Sequence, residues 1–252
     1  MSMRTTTPRQ RLQALDALRG FAVVWMTAFH FSFDLNQFGY LRQNFYLDPF
    51  WTLQRSVIVG LFLCCAGMAQ AVAQQQGQTP RAFFRRWLQV TGCAVLVSAG
   101  SYAMYPKSFI YFGVLHGLAV MLLMIRWMAA WRRWLWLVGG LVFALKFIAV
   151  YVHTQSPGLD FLNEPAFNWL GLISRKPITE DYVPLVPWLG VVCWGMAAGQ
   201  WLQRDHLAEL SRPLPCATAP LIWLGRWSLS WYLLHQPVLI GALMALAALK
   251  SV

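Results

Sequence analysis

Apolar runs of about 20 residues, each long enough to cross a hydrocarbon core, recur along nearly the whole chain and leave little for a water-facing core. Bounded by charge, proline or glycine, they place spans near residues 17–38, 56–76, 87–105, 108–126, 134–153, 184–203 and 229–249. The pattern predicts an all-α fold, a polytopic membrane helix bundle of about seven transmembrane helices, organised as a single domain over 1–252. Composition agrees: 12% of residues are charged, about half the fraction of an ordinary soluble domain. The stretch from Pro220 is too long for one span and is interrupted by Gly225 and Arg226. Leu221 to Trp227 is therefore expected along the interface before the last helix enters. The first run carries His30 and Asp34 with no small-residue cleavage site after it, so it reads as a retained helix rather than a signal peptide.

Twenty basic residues stand against nine acidic ones, for a net charge of +11. In a soluble chain that excess would raise nucleic-acid binding, but here the basic residues sit in short loops between apolar runs, where they orient a membrane protein. No nucleic-acid partner is expected. Eleven of them, among them Arg4, Arg9, Arg11, Arg81, Arg126 and Arg204, fall on one side, against five on the other. This puts the N-terminus, with a tail over 1–14, in the cytoplasm and the C-terminus outside. The segment 154–183 then becomes the principal external loop; its aromatic residues Phe161, Phe167 and Trp169 suit a partial cover over an outward-facing cavity. Cys64, Cys65, Cys93 and Cys193 lie inside apolar runs at spacings that fit neither a disulfide framework nor a zinc site, and no metal is expected.

Ionisable groups inside a span are costly to bury, which makes each a candidate for function. Asp16, Arg19, Thr27, His30 and Asp34 fall on about one face of the first helix. His30 and Asp34 are one turn apart, so the carboxylate could orient the imidazole as a general base, and this pair is the catalytic candidate. Counting about 1.5 Å per residue brings His116 and Lys146 to a similar depth in the outer half, as candidates for substrate binding and oxyanion stabilisation. A second polar layer, Asp16, Arg19, Arg226 and His235, lies near the cytoplasmic face and could hold the phosphates of an anionic cofactor such as coenzyme A. Plainer readings stand beside these: Lys146 as a snorkelling cation, and His116 and His235 as interhelical hydrogen-bonding residues.

Leu15 to Phe31, LDALRGFAVVWMTAFHF, resembles the opening of the large transmembrane acyltransferase superfamily. FLCCAG (62–67), YFGVLHGLA (111–119), DYVPLVPWLG (181–190) and GRWSLSWYLLHQP (225–237) add a resemblance to bacterial relatives of the heparan-alpha-glucosaminide N-acetyltransferase catalytic domain. It runs from about Arg11 to Gly241. The resemblance implies transfer of an acyl group, acetyl first of all, from cytoplasmic acetyl-CoA to an amine or hydroxyl of a sugar or glycan-lipid acceptor on the other side of a bacterial inner membrane. By position it carries Asp16, Arg19, His30 and Asp34 in the first motif, His116 and Asp181 in the middle ones, and Arg226 with His235 in the last. Asp181 is thereby expected near the substrate. In the animal enzyme the histidine proposed to receive the acetyl group follows the first helix, whereas residues 36–55 contain no histidine. Direct transfer with His30 as base is the simpler expectation.

Two other classes fit the same residues. A transporter or flippase would use polar groups at two depths as a permeation path, and a haem-binding membrane protein would use His30 with His116 or His235 as axial ligands. Membrane lipids are partners in every case, and a homo-oligomer is compatible with all three.

Overall fold

The computed structural model describes residues 12–206 and 212–250. Its long helices are α1 (Gln13–Gln37), α2 (Pro49–Gln75), α3 (Pro80–Met104), α4 (Val114–Met128), α5 (Trp134–Gln155), α6 (Leu185–Asp205) and α8 (Ser228–Lys250), with a short α7 (Ala219–Arg226) before the last. Arg4, Arg9 and Arg11, and with them most of the expected tail, lie outside the described residues.

Among the described residues, five helices are long and apolar enough to cross a membrane: α2, α4 with its 3-10 extension to Trp131, α5, α6 and α8. The protein is thus an all-helical, multi-pass membrane protein. The other two long helices, α1 and α3, have 25 residues each but are more polar, through Asp16, Arg19, His30 and Asp34 in one and Arg81, Arg85 and Arg86 in the other.

Helix starts follow local chemistry more closely than hydropathy. The second span, expected from 56, begins at Pro49, because the Asp48 side chain accepts from the Phe50 amide at 2.8 Å and proline suits the first helical position. Thr79 and Pro80 start α3 in the same way, with the hydroxyl accepting from the Ala82 amide at 3.2 Å. The fourth span, expected from 108, is not helical until Val114. Residues 108–113 instead run beside 179–183, with the Glu180 amide donating to the Ser108 carbonyl at 2.9 Å and the Val183 amide to that of Phe112 at 3.2 Å. That pairing fixes one end of the long loop. Its middle is fixed by Asn168, which donates to the Tyr111 hydroxyl at 2.7 Å while its carbonyl accepts from the Tyr182 hydroxyl at 2.6 Å.

The α6 helix is the centre of the bundle. Val192, Cys193 and Met196 on it are fully buried with Leu63, Met121, Ile125 and Leu135 from three other helices. Gly195 and Gly199 let α2 approach closely, since a Cβ at Gly195 would run into the Cys64 carbonyl. By contrast α5 and α8 keep exposed apolar faces, including Leu141 and Phe147 on one and Leu234 and Val238 on the other, which suit lipid contact.

Helices α1 and α8 run parallel: Trp231 donates to the Thr27 hydroxyl at 2.8 Å, and farther along both helices Gln236 reaches Asp34. The segment Leu221 to Trp227, expected along the interface, is mostly α7, and it packs antiparallel against the first turns of α1. Backbone meets backbone there, because a Cβ at Gly20 would collide with the Leu221 carbonyl and one at Gly225 with the Asp16 carbonyl. Gly225→Val is accordingly expected to lower the thermal midpoint in detergent, by overpacking worth about 1–3 kcal/mol. An unchanged midpoint would mean that α7 is not held against α1.

Candidate active site

Asp16, in the first turn of α1, is buried, and its carboxylate lies between two guanidinium groups. Arg19 Nη1 is 3.3 Å from Oδ1, and Arg226 Nε, at the end of α7, is 3.6 Å from Oδ2. The carboxylate can balance only one of the two charges. Arg85 and Arg86 on α3 face the same space, so four arginines and one aspartate line the mouth of a cavity of about 650 Å3. From there the cavity runs between α1, α2, α3, α4 and α8. Ala66, Ala69 and Ala73, at helical spacing, make one narrow wall, and Leu115, Leu118 and Leu122 on α4 face it. Beside the mouth, Arg126 stacks over Phe83 at 4.4 Å and donates to Gln78 at 3.3 Å. Neither partner neutralises its charge. A charged mouth leading into a cavity walled in large part by alanine and leucine fits an anionic head with a long, less polar arm.

Farther along the same helix pair, His30 on α1 meets His235 on α8, with ring centroids 5.0 Å apart. Both His235 contacts fall on Nδ1, at 2.9 Å from the Tyr232 carbonyl and 3.2 Å from that of Trp231. Carbonyls accept, so Nδ1 must carry the proton, and in the neutral ring the lone pair is left on Nε2. Nε2 is buried and has no partner among the described residues. Next to it, Gln236 Nε2 donates to Asp34 Oδ1 at 2.7 Å, while Asp34 Oδ2 and Gln236 Oε1 are likewise buried without a donor. This helix pair therefore carries three buried acceptors without donors. The two rings pack edge to face, 61° apart, which leaves no space between them for a haem.

The geometry redistributes the residues that the sequence singled out. Asp16, Arg19 and Arg226 do come together at one mouth. His235 does not join them; it lies about two turns into α8, past the break after Arg226, and faces His30. The hydrogen bond that Asp34 makes goes to Gln236, so orientation of His30 by Asp34 is not what the side chains show. His116 is engaged at the start of α4: Nδ1 accepts from the Gly113 amide at 3.3 Å, and Nε2 is 3.0 Å from Ser98 Oγ, which donates to the Ile110 carbonyl at 2.6 Å. Lys146 is exposed on α5, which packs chiefly on α6, and no hydrogen bond or ion pair ties it to His30 or His116.

Asp181 closes the gap between loop and bundle. Its Oδ2 accepts from the Val114 amide at the start of α4 at 2.7 Å and lies 3.5 Å from the Tyr232 hydroxyl. Burial pushes this carboxyl up from its ordinary value, while the Val114 amide, Lys176 and Arg55 pull it down. Nearby, burial and then the carboxylates of Glu180 and Asp34 push the Tyr105 phenol up. Tyr232 and Gln236 were not singled out from the sequence, although both lie in the SWYLLHQP stretch; Tyr232 lines the cavity and Gln236 supplies the one donor to Asp34.

The family model described as heparan-alpha-glucosaminide N-acetyltransferase, catalytic, matches residues 11–237, almost the whole chain. The chain belongs to this family. Membership in the heparan-alpha-glucosaminide N-acetyltransferase catalytic family makes it a membrane acyltransferase. The matched region ends one residue past Gln236, so it includes both the arginine mouth and the imidazole pair. Neither a curated protein nor a solved structure matches the chain significantly.

Proposed function

We propose that this family member moves an acetyl group from acetyl-CoA, bound in the cavity from the cytoplasm, to an amine or hydroxyl of a carbohydrate-like acceptor that enters from the opposite side of a bacterial inner membrane. The observation that carries this reading is one cavity leading from a four-arginine mouth to Tyr232, a single turn short of the imidazole pair. In this reading α1 and α3 cross the membrane as well, the N-terminus is cytoplasmic and 154–183 is external. The nucleotide phosphates pair with Arg19, Arg226, Arg85 and Arg86, and the pantetheine arm lies along the alanine face of α2.

The acceptor sits against His30, His235, Asp34 and Gln236. Three buried acceptors without donors favour a ligand rich in N–H or O–H groups, because each would otherwise stay unpaired at a cost of about 1–3 kcal/mol. One imidazole takes the proton of the attacking group as its nitrogen or oxygen bonds to the thioester carbonyl carbon. The carbon–sulfur bond then breaks, and the thiolate leaving group takes up the proton, which leaves the histidine as it began. Radiolabelled acetyl-CoA supplied to proteoliposomes with a panel of amino sugars and neutral sugars should give a labelled sugar. Solute movement across the vesicle without consumption of acetyl-CoA would replace this reading with transport.

A further inference from the structure

The cavity and the imidazole pair lie on the same two helices, yet they do not open into one another. Tyr232 lines the inner end of the cavity together with Val114, whereas none of His30, Asp34, His235 and Gln236 lines it. From Tyr232 to His235 is one helical turn, about 4.5 Å of rise. The tyrosine ring therefore stands between the place where a thioester would arrive and the base that would promote its attack. Resting on the proposed acetyl transfer, we propose that Tyr232 is a septum, latched by its hydroxyl to Asp181, that shields the bound acyl thioester from water and so suppresses acyl-CoA hydrolysis by this protein.

The latch has unequal halves. Asp181 Oδ2 is held by the Val114 amide at 2.7 Å, within the range of a strong charge-assisted bond, but reaches the Tyr232 hydroxyl only at 3.5 Å. The anchor is firm and the door is light. Behind the door, the main chain is fixed, because the Tyr232 carbonyl is taken by His235 Nδ1. Opening thus needs rotation of one side chain and no movement of α8. A wall is needed because the acceptor would enter from the loop end, where Glu180 and Tyr105 are exposed, and would bring water with it. Two imidazoles that can deprotonate an acceptor can equally deprotonate water, and water attacking the thioester would give acetate and free coenzyme A. The same wall limits the length of acyl chain that fits behind the arginine mouth.

The test compares free coenzyme A released with acceptor acetylated, in purified wild type, Tyr232→Ala and Tyr232→Phe. Wild type should release one coenzyme A per acetylated product. Tyr232→Ala should release a several-fold excess matched by free acetate, and should also consume butyryl-CoA. Tyr232→Phe keeps the ring but loses the latch, and should show a smaller excess. A residue with a merely structural role would lower both products together and leave their ratio alone. Matched stoichiometry in both variants overturns the septum and leaves the acetyl transfer standing. If the alanine variant does not fold, the phenylalanine variant decides alone: an excess supports the septum and a matched ratio overturns it. A wild type that transfers no acetyl group removes the reading underneath.

Discussion

Alanine at His235 is expected to slow acetyl transfer by about a hundredfold to ten-thousandfold at saturating acetyl-CoA, the usual contribution of a positioned general base. Alanine at His30 should do nearly the same. Their rings touch at 5.0 Å between centroids, and the proton on His235 is committed to backbone carbonyls, which leaves its other nitrogen free to act. Groups that work as a unit lose their effect together, so the double variant should be little slower than the worse single one. Binding of acetyl-CoA, measured by calorimetry, should be unchanged in all three, because neither ring lines the cavity. Full transfer activity in folded His30→Ala and His235→Ala proteins would remove the imidazole pair from the chemistry.

Arg226→Ala is expected to raise KM for acetyl-CoA by about 10- to 100-fold with kcat little changed, as loss of a charge-assisted contact worth about 1.5–3 kcal/mol predicts. Arg226 and Arg19 share one carboxylate, so one of their two positive charges is left for a ligand. Lysine at 226 should recover only part of the affinity, because it keeps the charge but not the planar fork that grips a phosphate. Raising the salt concentration should weaken donor binding in wild type more than in Arg226→Ala, since screening acts on the charge that the variant lacks. A KM that does not move with either substitution would show that the donor does not enter past α7.

Much of the bundle could be read from hydropathy alone, because a lipid-crossing helix must be apolar for most of its length whatever it packs against. Helix ends were harder, and the reason is local. Asp48 with Pro49 and Thr79 with Pro80 are ordinary start signals, but they precede mixed segments that a search for apolar runs passes over. The mouth of the cavity was legible as arginines beside Asp16. What periodicity does not encode is which helix lies next to which. Asp34 was paired with His30 because the two share a helix face, whereas its partner is 202 residues away on a helix that happens to run alongside. His235 was grouped with Arg226 by nearness in sequence, yet Arg226 ends α7 and the chain then turns, so that seven positions into α8 His235 stands about 10 Å along a different helix. Gly113 followed by His116 does carry a start signal of its own, and the cap formed by their contact accounts for the histidine without a ligand.

Both chemical stations are split between the chain's opening and closing segments: Asp16 and Arg19 with Arg226, and His30 and Asp34 with His235 and Gln236. A polypeptide still attached to the ribosome therefore has neither a complete donor port nor a complete proton acceptor until its final helix docks on its first. On the proposed function, turnover of acetyl-CoA by half-made chains would be precluded by the order of synthesis. It also follows that the first 206 residues and a separate fragment carrying α7 and α8, coexpressed in one membrane, hold between them every group that the proposed reaction uses.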